Sequence, residues 1–481
     1  MQDAAYSTLL RSRRQQLHAR ITTTLESQFP DIVAAQPQLL AQHCAEAGLS
    51  EKAIRYRLKA GQQAVARGAM TEAVVQLQKG LELSSVLANE PDRWRQELSL
   101  QITLGVALTA SKGFAATETG QAYARAHALC AQLGDDATLM SVLSGQSAFH
   151  LTRAEYVAAR KCAENLLRLS EKQRDTTAVL LGHAAMGNCL YCLGQFALSK
   201  HHLERALAIY APETHRFPRG APAVDVKVRA LCFLAYNLFA LGYQDQALSR
   251  SEQSVLWSRT LHHSYSLAHA LSHAGQLHLY RGDEKAAFGA LEEATAIATQ
   301  QGFPLVLAYT TIMRGHVLAT RGEATKGLAL ARKGYAATKA TGALIAEAWS
   351  LSLLAKCSER ADQPDAALDL LTEALDFAER TNECAFKAEL HRQKGEWLLA
   401  YRKPNSAEVE LCFERAFAVA QKQNARTYQL RAATSLARLW LHQGKHDEAR
   451  DLLAPIYSWF TEGLDTPILR EARTVLEQIA D

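Results

Sequence analysis

"LSLLAKCSERADQPDAALDLLTEALDFA", residues 351–378, holds three small residues, Ala355, Ala367 and Ala374, at spacings of twelve and then seven. The same spacings recur at Gly275, Ala287 and Ala294 and at Gly61, Ala73 and Gly80. Working outward, a leading small residue returns at Gly187, Ala235, Gly275, Gly315, Ala355, Gly395 and Ala437, in steps of 48, 40, 40, 40, 40 and 42 residues. Twelve residues after each leader stands a second small residue: Ser199, Ala247, Ala287, Gly327, Ala367, Ala407 and Ala449. A period of this length marks a repeat architecture, in which each unit buries its apolar face against its neighbours. Small residues at these points let the two helices of a hairpin approach closely.

The turn within each hairpin has its own chemistry. Gly194, Gly242, Gly282, Gly322 and Gly444 lie seven residues after their leaders, where a helix must stop and the chain needs positive φ. Asp362 and Arg402 replace that glycine in two units, each followed two residues later by proline, Pro364 or Pro404. The regularity weakens over residues 88–160, where Gly105, Gly145 and Ala158 suggest two degenerate units. Residues 211–223, with Pro212, Pro218, Gly220 and Pro222 around His215, Arg216 and Arg219, account for the 48-residue step. They read as a surface excursion, either ornament or a partner contact.

The ends differ from the middle. Leu9, Leu10, Leu17, Ile21, Leu25 and Phe29 form an apolar stripe at helical spacing with arginines opposite, which predicts an amphipathic helix without a partner and a protein that extends upstream. Pro30 and Pro37 bracket a break, and a short helix over 38–47 ends at Gly48. Near the C-terminus, Thr466 and Pro467 open a last helix carrying Leu469, Val475, Leu476 and Ile479, which reads as a cap over the final apolar face. The domain expectation is a helical tail over 1–50, about ten helix pairs over 51–455, and a capping helix within 456–481.

Composition points to a folded soluble chain: 48% hydrophobic and 21% charged residues, with a formal charge of +4. So small an excess gives no general reason to expect nucleic acid or an anionic membrane. Arg11, Arg13, Arg14 and Arg20 make one local basic cluster, read as a solvated helix face. Nine scattered cysteines read as reduced thiols in a cytoplasmic protein. The longest apolar run, 230–241, is too short for a membrane span.

Catalytic motifs are missing. There is no Gly-x-x-x-x-Gly-Lys-[Ser/Thr] and no Gly-x-Ser-x-Gly, and no strand signal accompanies the helical periodicity. No cofactor and no catalytic residue is therefore expected. Cys189 and Cys192 form an isolated C-x-x-C at helical spacing and read as core. His269 and His273, with His262, His263 and His278 nearby, are the best metal pair. Residues 270–272 lack the glutamate of a zinc protease, so a structural or surface role is preferred and no metal site is expected. An α-helical metalloenzyme around this pair is a third, lesser class.

Helix-pair solenoids act through the concave surface lined by their first helices. The residue after each leader is polar in nearly every unit, the residue three before each leader lies on the same face, and the candidate ladder for ligand contact drawn from these two series is Asn188, Gln276, His316, Lys356, Arg392, Glu396 and Arg438. Such a ladder suits a peptide-reading groove and equally an ordinary exposed helix face.

The small residues of 351–378, with the run Ala366-Ala367-Leu368, resemble the tetratricopeptide repeat, although the period is about 40 rather than the tetratricopeptide norm of roughly 34. The resemblance implies an all-α fold, a right-handed solenoid of antiparallel helix pairs. Gln2 to Tyr6, Leu9 to His18, Ala45 to Gly48 with Ala53-Ile54, Leu430 to Trp440 and Trp459 to Gly463 are similar to the C-terminal region of bacterial predictive (STAND-type) ATPases fused to class III adenylate/guanylate cyclase domains. That resemblance implies a nucleotide-binding module upstream in cis, with residues 1–50 the tail of that module. The expected function is a non-catalytic sensor and interaction arm of a bacterial signal-transduction protein, binding a protein, peptide or small effector. The alternative is a free-standing tetratricopeptide scaffold.

Overall fold

The computed structural model describes residues 10–87, 90–215, 224–401 and 406–480, all helix and connecting turns. The chain divides into two compact units, Met1–Phe149 and His150–Asp481. No helix among the described residues is long and apolar enough to cross a membrane.

The first unit comprises α1 (Arg11–Gln28), α2 (Pro30–Ala35), α3 (Pro37–Glu46), α4 (Ser50–Ala66), α5 (Met70–Ser85), α6 (Pro91–Lys112), α7 (Thr117–Leu133) and most of α8 (Asp136–Thr152). Pro30, Pro37 and Pro91 each occupy a first helical position, where the missing N–H would have been unpaired in any case. Residues 30–37 therefore begin helices twice rather than only interrupting one. The partnerless helix expected at the start has a partner within the chain: Leu25 of α1 packs on Val33, Leu40 and Cys44. Glu26 accepts hydrogen bonds from Lys52 (2.7 Å) and the Tyr56 hydroxyl (3.0 Å). Leu10, Ile21 and Phe29 stay exposed, and Thr22 takes the buried place instead. Side-chain volume and contact, not the apolar stripe alone, set the rotation of α1. Further along, Ile54, Leu77, Leu100 and Leu108 form the core, and the Tyr123 ring fills the space beside both Gly105 and Gly145.

The second unit begins within α8 and continues with α9 (Tyr156–Gln173), α10 (Thr176–Cys192), α11 (Phe196–Ile209), the short α12 (Pro212–His215), α13 (Val226–Leu241) and α14 (Gln244–Thr260). Then follow α15 (Ser264–Arg281), α16 (Glu284–Gln301), α17 (Pro304–Thr320), α18 (Ala324–Ala340), α19 (Glu347–Arg360) and α20 (Pro364–Thr381). The unit closes with α21 (Lys387–Tyr401), α22 (Ser406–Lys422), α23 (Arg426–His442), α24 (His446–Ser458) and α25 (Pro467–Ala480). The fold is the expected all-α solenoid of antiparallel helix pairs. Within the 211–223 insertion, residues 216–223 lie outside the described residues, as do residues 1–9 and the Arg402 turn.

The repeating small residues are hairpin contacts. At Gly315 on α17, a Cβ would stand 2.5 Å from the Ala331 nitrogen and 2.6 Å from the Gly327 carbonyl of α18, so these two backbones touch. Where the leader is Gly187, its carbonyl accepts the Ser199 hydroxyl (2.6 Å), and that hydroxyl accepts from Asn237 Nδ2 (2.8 Å) on α13. Turn glycines at 194, 242, 282, 322 and 444 have φ between 69° and 101°, and Asp362 adopts φ 58° in their place.

What the repeat does not announce is that successive superhelical turns of this unit dock on one another. The carbonyl of Thr152, the last residue of α8, accepts from the Leu344 and Ile345 amides (2.8 and 3.0 Å) before α19. The carbonyl of Cys192, the last residue of α10, accepts from Cys384 and Ala385 (2.8 and 3.1 Å) before α21. Phe239, near the end of α13, accepts from the Thr427 hydroxyl at the start of α23. Helix C-termini leave carbonyls without intrahelical partners, and here two loops and one helix start about five repeats downstream supply the donors. As a result the apolar run 230–241 lies on α13, almost wholly buried at the centre of the unit.

Candidate ligand-binding cavity

The interior of the second unit is filled over much of its length. Tyr191, Phe233, Phe239, Tyr280 and Tyr428 of first helices, with Phe386 from the turn before α21, pack edge-to-face and stacked, with ring centroids such as Phe239–Tyr280 at 5.5 Å and Phe386–Tyr428 at 6.2 Å. Aromatic pairs of this geometry add roughly 0.5–1.5 kcal/mol each beyond burial. A continuous open groove along all first helices is therefore not what the ladder lines. Asn188 is 2% exposed within this packing. Gln276 accepts from the Tyr236 hydroxyl (2.9 Å) and donates to the Tyr280 hydroxyl (2.6 Å), tying two rings together.

The filling stops beyond Tyr280, and there a cavity of about 510 Å³ opens. Tyr280 and Leu279 of α15, His316 of α17, Lys356, Glu359 and Arg360 of α19, Tyr401 of α21, Arg431 of α23, and Ile468 and Glu471 of α25 line it. The position after the leading small residue faces this cavity on α17 and α19, which places His316 and Lys356 side by side. Arg392, Glu396 and Arg438 stand behind the wall in one ionic network. Arg392 donates to both oxygens of buried Glu389 (2.7 and 3.0 Å) and to Glu396 (3.0 Å). Arg431 pairs with Glu389 at 3.1 Å, and Arg438 bridges Glu396 to Glu471.

The charges in this region are not equal in their surroundings. Burial alone would raise the Glu389 carboxyl, but Arg392 and Arg431 outweigh it and hold the group down at about 2. Burial lowers Lys356 to about 8, against the pull of Glu389. His316 is pressed down to about 3 by burial, reinforced by Lys356 and Arg360, and its buried Nδ1 makes no hydrogen bond. Burial raises Glu359. Among the described residues Lys356 has no hydrogen bond or ion pair. A half-buried ammonium without a direct ion pair is costly, and an anionic group from outside would lower that cost.

The ladder thus divides. His316 and Lys356 reach the cavity, Arg392, Glu396 and Arg438 brace its wall, and Asn188 and Gln276 belong to the interior packing. Arg431, Glu389, Tyr280 and Glu471 were not singled out from the sequence. Glu389 and Arg431 share one sequence feature, each standing six residues before the leading small residue of its helix, Gly395 or Ala437. Glu471 had none, because α25 follows no repeat.

No protein-family model matches the chain. It is 24% identical over 460 residues to an uncharacterized protein of Rhizobium meliloti (strain 1021), an alignment that covers 92% of this chain and 43% of that protein. The chain thus spans less than half the length of this relative. Among solved structures it is similar to a Rap protein complexed with Competence and Sporulation Factor, with a TM-score of 0.59 at 15% identity, covering 78% of this chain and 99% of the other. The likeness to Cut9 in the APC/C hetero-tetramer Cut9-Hcn1 is looser, with a TM-score of 0.37 at 12% identity over 91% of this chain and 98% of the other. The Rap likeness at this identity speaks for the tetratricopeptide-like helical repeat fold.

Proposed function

We propose that the chain is a non-catalytic interaction arm whose second unit captures a protein or peptide ligand through a carboxylate seated against Lys356. The unpartnered Lys356 ammonium, beside the unpaired His316 Nδ1 in a walled cavity of about 510 Å³, carries this reading. A cavity of that size admits a few residues, such as a chain terminus or an acidic side chain with its neighbours. The Rap structure with its bound factor supports a ligand-binding role for the fold. We further propose that ligand capture is signalled in cis to a nucleotide-binding module of a cytoplasmic bacterial protein of the adenylate cyclase or ATPase type; the Rhizobium relative is long enough to hold a further module.

The cavity reading is tested by selecting binders from a library of peptides with free C-termini and comparing each with its amidated form on wild-type protein and on Lys356→Met. Binders that need an acidic group, and that lose about tenfold or more in affinity on Lys356→Met, are expected, since a charge-assisted bond contributes roughly 1.5–3 kcal/mol. Their affinity should fall as pH rises through about 8, where the ammonium is lost. Binders indifferent to both carboxylate and Lys356 would overturn the assignment. The cis reading fails if deleting residues 51–481 from a longer protein leaves its nucleotide turnover unchanged.

A further inference from the structure

A second group of chemically competent side chains lies apart from the cavity, between α13 and α15. His269 and His273 are one turn apart on α15, and stacking of adjacent hairpins brings Cys232 of α13 against them. We propose that Cys232, His269 and His273 bind a zinc-class divalent metal ion through the thiolate and two imidazole nitrogens.

The three side chains offer ligand atoms that all lie within 4.8 Å of one another. Donors around tetrahedral zinc, at about 2.3 Å for sulfur and 2.0–2.1 Å for nitrogen, are roughly 3.5 Å apart, so small side-chain rotations complete the set. The imidazoles are ready for it. His269 Nε2 and His273 Nδ1 are buried and make no hydrogen bond, although an unpaired buried polar atom ordinarily costs about 1–3 kcal/mol. Burial also depresses the pKa of both rings, His273 to about 3, so each is neutral and has a lone pair to give. Their ring centroids stand 4.0 Å apart.

The surroundings fix the ligands. Tyr236 stacks on the His273 ring at 5.4 Å and its hydroxyl donates to the His273 carbonyl (3.1 Å), while Phe233 packs on the same ring at 5.8 Å. The Cys232 thiol donates to Ser254 Oγ at 3.6 Å and is raised to about 12 by burial, so it is a thiol in the metal-free chain. Metal entry breaks the S–H bond, forms a metal–sulfur bond and releases one proton to solvent. Arg229 is the nearby cation: it depresses the pKa of both imidazoles and favours the thiolate. Of the other histidines of the sequence cluster, His263 bonds Ser266 (2.8 Å) and His278 Nδ1 lies 3.8 Å from Asp283, and neither belongs to the group around Cys232.

Three protein ligands leave a fourth position for water or a small anion. Cobalt(II), which takes zinc's geometry and reports sulfur ligation by a near-ultraviolet charge-transfer band, is the probe. Metal-free full chain is titrated with cobalt(II) alone, then zinc is added to displace it. One equivalent with the thiolate band is expected, together with release of one proton. Cys232→Ala should abolish the band, His269→Gln should weaken cobalt binding by about tenfold or more, and Cys189→Ala, buried elsewhere, should leave both unchanged. His269→Gln preserves bulk and polarity, so it keeps the test intact should Cys232→Ala fail to fold. Absence of the band in wild-type protein at one equivalent, or equal affinity in His269→Gln, overturns the proposal.

Discussion

Replacing Glu389 by glutamine should destabilise the second unit by about 3 kcal/mol at neutral pH. Glu389 is 1% exposed at its side chain and is the anion on which Arg392 and Arg431 converge. Its pKa falls from 4.5 to about 2 on folding, and a tenfold change in proton affinity corresponds to about 1.4 kcal/mol. The folded state thus binds its proton less readily than the unfolded state. A depressed carboxyl contributes stability that is present in full above the unfolded value and is lost as pH falls from about 4.5 towards 2. Glutamine imitates the protonated carboxyl, so the gap between wild type and variant should be widest at pH 7 and should narrow to roughly half by about pH 3. The assay is urea unfolding of both proteins at matched pH, followed by tryptophan fluorescence, with Trp349 and Trp397 as reporters in the same unit. Equal midpoints at pH 7, or a gap that stays constant down to pH 3, would show that Glu389 is not the carboxylate holding this network.

Other substitutions test the packing. Gly315→Ala places a methyl 2.5 Å from the Ala331 nitrogen; overpacking of about 1–3 kcal/mol should outweigh the helix-propensity gain of about 1 kcal/mol, and a raised melting temperature would refute the backbone contact. Thr427→Val removes the hydroxyl that donates to Phe239 and accepts from Gln244 Nε2 (2.8 Å). The loss should be about 1–3 kcal/mol, and hydrogen exchange should quicken at the end of α13; unchanged exchange there would mean that the turns are not held together at this point.

Much of the fold was legible because hairpin contact demands small residues at one spacing, whatever surrounds them. Gly315 and Gly327 could be placed across from each other before any coordinates, and Gly242 or Gly282 could be assigned to turns, since positive φ selects glycine. The rotation of α1 was only partly legible: apolar periodicity named Leu25, which packs inward, but also Ile21 and Phe29, which stay exposed while Thr22 and Glu26 make contacts. The candidate cavity was half legible. His316 and Lys356 stand at the repeating polar position, whereas Arg431 reaches the same space from six residues before the leader Ala437 and Glu471 from α25, which carries no leader.

The sequence by itself determined the helix pairs, their order and their turns, because these depend on interactions between residues within about 40 positions of one another. Only the tertiary structure decided that the interior is filled with aromatic rings, that it opens beyond Tyr280, and that Cys232 meets His269 and His273. Those outcomes depend on how far each hairpin rotates on the last. Small rotations accumulate over five repeats before Thr152 meets Leu344 and Cys192 meets Cys384. Local spacing carries no record of that sum.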